Sequence, residues 1–200
     1  ITDLFSKPKK KQRHGIINMY PNVNAETDFT NFIMNQGLMF ESKVYEFLKN
    51  KYQTVQVAES YQAKCKDKFE ETIRCMKNGI EIIYQGVLHD YKNKIYGCPD
   101  LLVRSDRIND IFEGNYLSRE ESIIEAPELN QPFHYVVVDI KHSTLYLTSN
   151  GINIRNCNSI PAYKGQILMY TLAMESIQGY KSDYGFVLGK MSTFTTGKTI

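Results

Sequence analysis

The chain has 200 residues, a formal net charge of +2 at neutral pH and a hydrophobic fraction of 42%. This length and apolar content are sufficient for one domain with a core of its own. No apolar run approaches the roughly 18 residues that a membrane-spanning helix needs, so no membrane span is predicted. The small net charge excludes a polycation along the whole chain and confines any contact with nucleic acid to local patches.

A basic segment lies near the start of the chain, at residues 7–13. Its positive charges are Lys7, Lys9, Lys10, Lys11 and Arg13. Such a composition keeps a segment solvated, so we expect residues 1–28 to form a flexible basic arm. The segment predicts either a nuclear-import signal or an arm whose lysines 9 to 11 bind nucleic-acid phosphates, with a solubilising tail as the alternative. No secretory signal is visible, and an intracellular location, nuclear or cytoplasmic, is expected.

The four cysteines predict neither a disulfide framework nor a zinc site. They form no Cys-x-x-Cys pair and have no nearby histidines at metal-binding spacing; they are Cys65, Cys75, Cys98 and Cys157. Free thiols in a reducing compartment are therefore expected.

The predicted elements begin with helices and continue with strands. Apolar residues recur at spacings of three and four between residues 29 and 50, which predicts an amphipathic helix. A second helix with a weaker pattern is predicted between residues 58 and 77. The segments GIEIIYQGVLHD (79–90) and NKIYGCPDLLVRSD (93–106) then predict two strands joined by a hairpin-sized link.

A polar, acidic segment at residues 105–132 is predicted to be an insertion between strands. YVVVDIKHSTLYL (135–147) follows as the strongest strand pattern, and Asn150-Gly151 predicts a tight hairpin turn after it. Residues 159–177 predict a second good helix and residues 183–189 a last strand. The order of helix, β-meander, helix and strand predicts an α/β or α+β fold with a mixed central β-sheet flanked by helices.

Polar residues stand at several positions where the pattern predicts burial. Asp139 and Lys141 alternate with apolar residues, so both side chains lie on one face of the strand, about 7 Å apart. At 100° per residue, Glu41 falls within the apolar stripe of the first helix and Gln166 within that of the last. Asp100 leads directly into the apolar run of its strand. We therefore expect polar groups from four different elements to point inward.

Carboxylates that converge from separate elements beside a lysine suit metal-dependent hydrolysis of phosphodiesters. Carboxylate oxygens are ligands for hard cations such as Mg²⁺, which keep part of their water shell and also bind the substrate phosphate. One of these waters becomes the nucleophile, and the ammonium group orients it or offsets charge on the phosphate. A hydrolase with Mg²⁺ or Mn²⁺ as cofactor is therefore expected.

These residues resemble the PD-(D/E)XK nuclease superfamily and, within it, the RecB-type exonuclease branch. The resemblance rests on GLMFE, GCPDLLV, VVVDIK and QILMY, which occur in the family's order at residues 37–41, 97–103, 136–141 and 166–170. It covers roughly residues 30–190. It implies a restriction-endonuclease-like fold, a nuclease domain over residues 29–200, and hydrolysis of DNA phosphodiester bonds by Mg²⁺- or Mn²⁺-activated water.

The resemblance also implies a metal site and its ligands. Asp100 and Asp139 would bind the metal, together with the main-chain carbonyl of Ile140. Glu41 would stand at the acidic position of the first helix and contribute directly or through a water.

The remaining roles concern the lysine and the last helix. Lys141 would be the catalytic lysine, and Gln166 and Tyr170 resemble the Gln-x-x-x-Tyr pair that supports the lysine and contacts DNA in this branch. The chain departs from the family in two respects. About 38 residues separate Asp100 from Asp139, more than is common, and the cysteines do not match the arrangement that holds an iron–sulfur cluster in some members, so we expect no cluster.

Three alternatives remain open at the level of sequence. An acid-x-Lys tripeptide carries little weight alone, since residues 41–43 and 90–92 contain two more, and ordinary ion pairs in a core would produce similar patterns. The substrate could be RNA, as for the cap-snatching endonucleases of segmented RNA viruses, whose acid and lysine constellation is similar. A non-catalytic nucleic-acid-binding or assembly module is the third. The expected partner is DNA, with RNA as the alternative, in a replication or repair complex and away from membranes.

Overall fold

The structure, a computed structural model, describes residues 25–194, except for the side chains of residues 25–28, 60 and 194. Residues 1–24 of the predicted basic arm, with Lys9, Lys10 and Lys11, therefore lie outside the described residues, whereas residues 25–28 belong to the first helix. The chain divides into two compact units, Ile1–Asn35 and Gln36–Ile200. The sheets and side-chain contacts that follow all belong to the second unit.

The helices and strands alternate along the chain much as the sequence predicts. The helices are α1 (Ala25–Lys51), α2 (Lys66–Lys77), α3 (Ile108–Ile111), α4 (Arg119–Ser122) and α5 (Ile160–Gln178). The strands are β1 (Thr54–Gln56), β2 (Ile82–Tyr84), β3 (Leu88–Asp90), β4 (Ile95–Gly97), β5 (Leu101–Arg104), β6 (Tyr135–Leu147) and β7 (Phe186–Phe194). Short 3₁₀ helices span Ser60–Gln62 and Pro127–Leu129.

Five strands form one mixed sheet, in the order β1-β2-β5-β6-β7. β1 is parallel to β2 and β6 is parallel to β7, whereas β5 is antiparallel to both of its neighbours. β3 and β4 form a separate antiparallel pair. The chain therefore has a mixed α/β fold with a central mixed sheet flanked by helices, as predicted.

The central strand β6 separates two hydrophobic cores. Tyr135 and Val137 belong to the core that contains residues of α2 and α5. Val136, Val138 and Ile140 belong to the core on the other face, with residues of α1 and α3. The predicted alternation along the valines is thus confirmed, because successive side chains of a strand point to opposite faces.

Each of the two strands predicted on either side of the hairpin link is in fact broken in two. Residues 79–90 contain β2 and β3, and residues 93–106 contain β4 and β5. The first break falls at Gln85, whose φ of 51° is left-handed and ends the pleated conformation. The second falls at Pro99, which has no N–H to donate to a neighbouring strand. The predicted hairpin link itself is confirmed between β3 and β4.

The second predicted helix begins later than expected. Cys65 is extended, with φ −76° and ψ 116°, so α2 starts only at Lys66. Residues 105–132 do separate β5 from β6, but they are not merely a polar insertion. They contain α3 and α4. Their side chains Ile108, Ile111 and Leu117 pack into the core that also contains Val136 and Val138.

The elements after β6 follow the predictions with small shifts. Only Gly151 of the Asn150-Gly151 turn has a positive φ, of 69°, and Thr148 N–H donates to the Asn153 carbonyl at 2.7 Å. α5 covers the predicted helix, whereas β7 begins and ends later than the predicted strand. No helix among residues 25–194 is long and apolar enough to cross a membrane.

His134 is buried just before β6, with 1% of its surface exposed. Its Nδ1 lies 3.0 Å from the Ile124 carbonyl oxygen and donates to it, and its ring meets Tyr180 edge-on at 4.7 Å. Nε2 has no partner among the described residues. Burial lowers the pKa of His134, and this effect exceeds the opposing influence of the Ile124 hydrogen bond and the Asp106 charge.

Acid is therefore expected to destabilise the fold through His134. Below about pH 6.5 the unfolded chain binds a proton at His134, whereas the folded protein binds it only at lower pH. The free energy of unfolding therefore decreases as the pH is lowered, by at most about 1.4 kcal/mol per pH unit. His134→Asn keeps a donor for Ile124 but cannot titrate. We expect urea unfolding to show a smaller loss of stability between pH 6.5 and 5.5 for H134N than for the wild type, with His142→Asn as the control. Equal losses would contradict the assignment.

Candidate functional site

Two predicted site residues meet where β5 and β6 pair. The ladder places Leu101 opposite Val138, so the next pair along the two strands is Asp100 and Asp139. Asp100 Oδ2 accepts a hydrogen bond from the main-chain N–H of Ile140 at 2.6 Å. Directly opposite residues of antiparallel strands have Cβ atoms about 5 Å apart and project from the same face. The sheet thus brings together two carboxylates that are far apart in sequence.

Lys141 joins this pair from the same strand as Asp139. Its Nζ lies 2.6 Å from Asp139 Oδ2, which has no other partner among the described residues. The Asp139 side chain is 1% exposed and that of Lys141 is 22% exposed. The expectation that the two side chains share a face is confirmed. Nζ also lies 5.4 Å from the centre of the Tyr163 ring, which places α5 beside the lysine.

Glu41 of α1 approaches the end of β2. Its Oε1 accepts hydrogen bonds from Tyr84 Oη at 2.7 Å and from Gln85 Nε2 at 3.1 Å. Consecutive residues of a regular strand point to opposite faces, and the left-handed φ of Gln85 is what lets both donors reach one carboxylate. The apolar stripe predicted around Glu41 is only partly buried, since Leu48 lies in the core but Leu38 is exposed.

The pKa values of Asp100, Lys141 and Cys98 are shifted because these groups are partly buried close to several acids. Burial and the negative charge of Asp139 raise the pKa of Asp100 to about 7, against the lowering effect of the Ile140 N–H, and Glu41 adds to the rise. Burial acts to lower the pKa of Lys141, but the ion pair with Asp139 and the charge of Asp100 raise it overall, so the ammonium group stays charged at neutral pH. Burial raises the pKa of the Cys98 thiol to about 12, and the charges of Asp100 and Glu41 add to the rise.

The prediction that Gln166 points into the core is wrong. It is exposed, and its Nε2 donates to Tyr170 Oη at 3.0 Å. The buried face of α5 is centred near Met174, about 80° around the helix from Gln166 at 100° per residue.

The predicted partner of Gln166 nevertheless lies beside the acids. A Cβ atom on Gly97 would overlap the Tyr170 ring, so this position requires a glycine for the ring to pack on β4. Burial raises the pKa of Tyr170, and Asp139 and Asp100 contribute to the rise. The Gln166–Tyr170 pair therefore stands at the edge of the acidic cluster.

Tyr84 and Gln85 contact the site but were not predicted from sequence. Burial raises the pKa of Tyr84, and the hydrogen bond to Glu41 raises it further, so the hydroxyl is a permanent donor. The only signal in the sequence is the polar Gln85 before Gly86, which interrupts the apolar run of residues 82–88.

The donor set suits a hard divalent cation. Among residues 25–194, no three His, Cys, Asp or Glu side chains form a group that could hold a metal ion by themselves. Mg²⁺ commonly binds one or two carboxylates and keeps several waters. Asp100 and Asp139 would supply these two carboxylates. Gln85 Oε1 is a further buried oxygen, and it has no hydrogen-bond partner among the described residues. The metal roles of Asp100, Asp139, Ile140 and Glu41 stay predictions.

Without a bound cation, the clustered acids should cost the fold stability at high pH. The pKa of Asp100 is about 7 in the folded protein and about 3.9 when unfolded, so stability falls as pH rises from 4 to 7. Asp100→Asn keeps an acceptor for the Ile140 N–H and removes the charge. We expect D100N to be about 1–3 kcal/mol more stable than the wild type at pH 8 in EDTA, measured by urea unfolding. Asp183→Asn is the exposed control, and a destabilised D100N would contradict the prediction.

Comparisons of the chain with protein family models, with curated proteins and with solved structures gave no match in any of the three.

Proposed function

We propose that the chain is a divalent-metal-dependent nuclease that hydrolyses DNA, built on a restriction-endonuclease-like fold of the PD-(D/E)XK type. The observation that carries the proposal is the meeting of Asp100, Asp139 and Lys141 at the junction of β5 and β6. Separate strands supply the two acids, and the lysine follows the second acid by two residues, as the resemblance requires. A mixed central sheet flanked by helices is compatible with that fold.

The residues of the cluster divide the work of phosphodiester hydrolysis. Asp100 and Asp139 would hold the cation, with the Ile140 carbonyl and Glu41 as further contributors. When bound, the cation would supply positive charge to the phosphate and activate the attacking water. Lys141, charged and held against Asp139, would orient that water or offset the negative charge that develops on the phosphate. Its ion pair fixes the ammonium group before substrate arrives.

The charge pattern beside the cluster favours a polyanionic substrate. No Asp or Glu occurs between Asp139 and Glu175, whereas Lys141, Arg155 and Lys164 do. Lys164 Nζ donates to the Ile154 carbonyl at 2.9 Å and to Asn156 Oδ1 at 2.7 Å, and it forms no ion pair with an acid of residues 29–193.

Two arginines, at the end of β5 and just after it, provide a contrast with this acid-free segment. Arg104 and Arg107 each pair with an acid, at 2.7 Å and 2.8 Å. Arg155 is exposed and has no acidic partner among the described residues. The acid-free segment therefore carries positive charge that is suited to contact with phosphates.

Substitution of the two paired residues should eliminate cleavage. We expect Asp139→Ala and Lys141→Ala each to reduce the rate by at least about 10²–10³-fold, because charge stabilisation at the reacting phosphate is lost. Cleavage of 5′- and 3′-labelled linear and circular DNA in Mg²⁺ and in Mn²⁺ measures this effect. Circular dichroism checks that the variants are folded.

A second acid-x-Lys segment provides a matched control. Asp90 accepts hydrogen bonds from the main-chain N–H groups of Lys92 and Asn93, so residues 90–92 form the β3–β4 turn. Lys92→Ala should cut like the wild type. If D139A or K141A cuts as well as K92A in Mn²⁺, the nuclease assignment is wrong.

The same assay addresses the two rival functions. Single-stranded DNA, duplex DNA and RNA are digested side by side, and cleavage of RNA alone would support an RNA endonuclease instead. Wild-type protein that binds nucleic acid but cuts none of the three in either cation would support a non-catalytic module.

The acid-free segment should contribute to substrate binding. Arg155→Gln should weaken binding of single-stranded DNA in EDTA and reduce the slope of log affinity against log salt concentration by about 1, because one phosphate contact is lost. Fluorescence anisotropy across a salt series measures both quantities. Arg119→Gln, an exposed arginine of α4, is the control, and an equal salt slope for R155Q and R119Q would contradict the prediction.

A further inference from the structure

Gln85 has an unusual environment for a buried amide. The residue is 9% exposed, and its Oε1 is buried with no hydrogen-bond partner among the described residues. Leaving a buried acceptor unpaired costs about 1–3 kcal/mol. Such a cost requires an explanation, because buried polar groups are normally hydrogen-bonded.

Two hydrogen bonds fix how Gln85 is oriented. Gln85 Nε2 donates to Glu41 Oε1 at 3.1 Å, and a carboxylate only accepts, so the nitrogen must face Glu41. The main-chain N–H of Gln85 donates to the Asp100 carbonyl at 2.9 Å, which binds the residue to the strand that carries Asp100. Since the amide nitrogen is hydrogen-bonded to Glu41, the oxygen of the same planar group is left without a partner beside the cluster.

The backbone of Gln85 also adopts a strained conformation. Its φ of 51° is rare for a residue with a side chain and costs on the order of 1 kcal/mol. The benefit is geometric, because this conformation turns the side chain of Gln85 to the same carboxylate that Tyr84 contacts. A regular strand would point the amide to the opposite face.

A neutral side-chain oxygen would complement the acids of this cluster and the Ile140 carbonyl. Asp100, Asp139 and Glu41 already repel one another, and a fourth carboxylate would increase the repulsion. An amide oxygen adds a donor for a hard cation without adding charge. One buried water could also hydrogen-bond to the amide oxygen. It would not explain why the main chain of Gln85 is hydrogen-bonded to Asp100 and its side chain to Glu41.

We propose that Gln85 Oε1 is an oxygen ligand of the divalent-cation site, contacting the cation directly or through one bound water. This assignment rests on the proposed nuclease function and adds the residue that follows β2 to Glu41, Asp100 and Asp139.

Binding of Mn²⁺ without DNA tests the assignment separately from cleavage. Isothermal calorimetry or the electron paramagnetic resonance signal of free Mn²⁺ gives the affinity. Gln85→Leu removes the oxygen and should weaken binding by about tenfold or more. Tyr84→Phe is the matched control, because it removes the other hydrogen bond to Glu41 Oε1 and leaves Gln85 Oε1 in place. Its loss of affinity should be clearly smaller than that of Q85L.

Each outcome bears on one proposal. Wild-type protein that binds neither Mn²⁺ nor Mg²⁺ would overturn the nuclease proposal itself. Wild-type binding with an unchanged affinity for Q85L would overturn the role of Gln85 and leave the nuclease proposal standing. Equal losses for Q85L and Y84F would show that Gln85 acts only by holding Glu41, which also overturns the role as ligand.

A second variant keeps the test decisive if Q85L does not fold. Gln85→Asn tolerates a left-handed φ and keeps the amide, but its side chain is shorter by one methylene. The oxygen is therefore withdrawn from the cluster. Q85N should lose affinity in the same direction as Q85L, and wild-type affinity for a folded Q85N would overturn the assignment.

Discussion

The pairing of β5 with β6 places Asp100 opposite Asp139 in a poorly solvated part of the molecule, and the rest of the site depends on this juxtaposition. Two carboxylates so placed repel each other, and burial strengthens the effect. The Ile140 N–H compensates Asp100 at 2.6 Å, and Lys141 compensates Asp139 at the same distance. Each of these two acids thus has one compensating partner.

The two hydrophobic cores explain why this arrangement is rigid. β6 is covered on one face by the core of Tyr135 and Val137, and on the other by the core of Val136 and Val138. A strand held on both faces cannot slip by one residue without moving its apolar side chains into the wrong core. The register that aligns Asp139 with Asp100 is therefore stabilised by the valines that precede it.

Much of the fold and part of the site could be predicted from the sequence. Period-two alternation located β6 and the shared face of Asp139 and Lys141, because strand geometry follows from local pattern alone. Helical periodicity located α1 and α5. It failed for Gln166, since periodicity cannot tell which arc of a helix meets the sheet or how far its first turns extend beyond it. The breaks at Gln85 and Pro99 were also missed, because an apolar run hides a local change of backbone conformation.

The sequence by itself determined the elements, the acids and the lysine, because the pattern of apolar and polar residues is a local property of the chain. Only the tertiary structure decided that Asp100 faces Asp139 and that Tyr84 and Gln85 hold Glu41. Those contacts join residues about 40 positions apart, and they depend on strand register and on one left-handed residue. Register and close packing arise from the whole chain, so no single segment carries their signal.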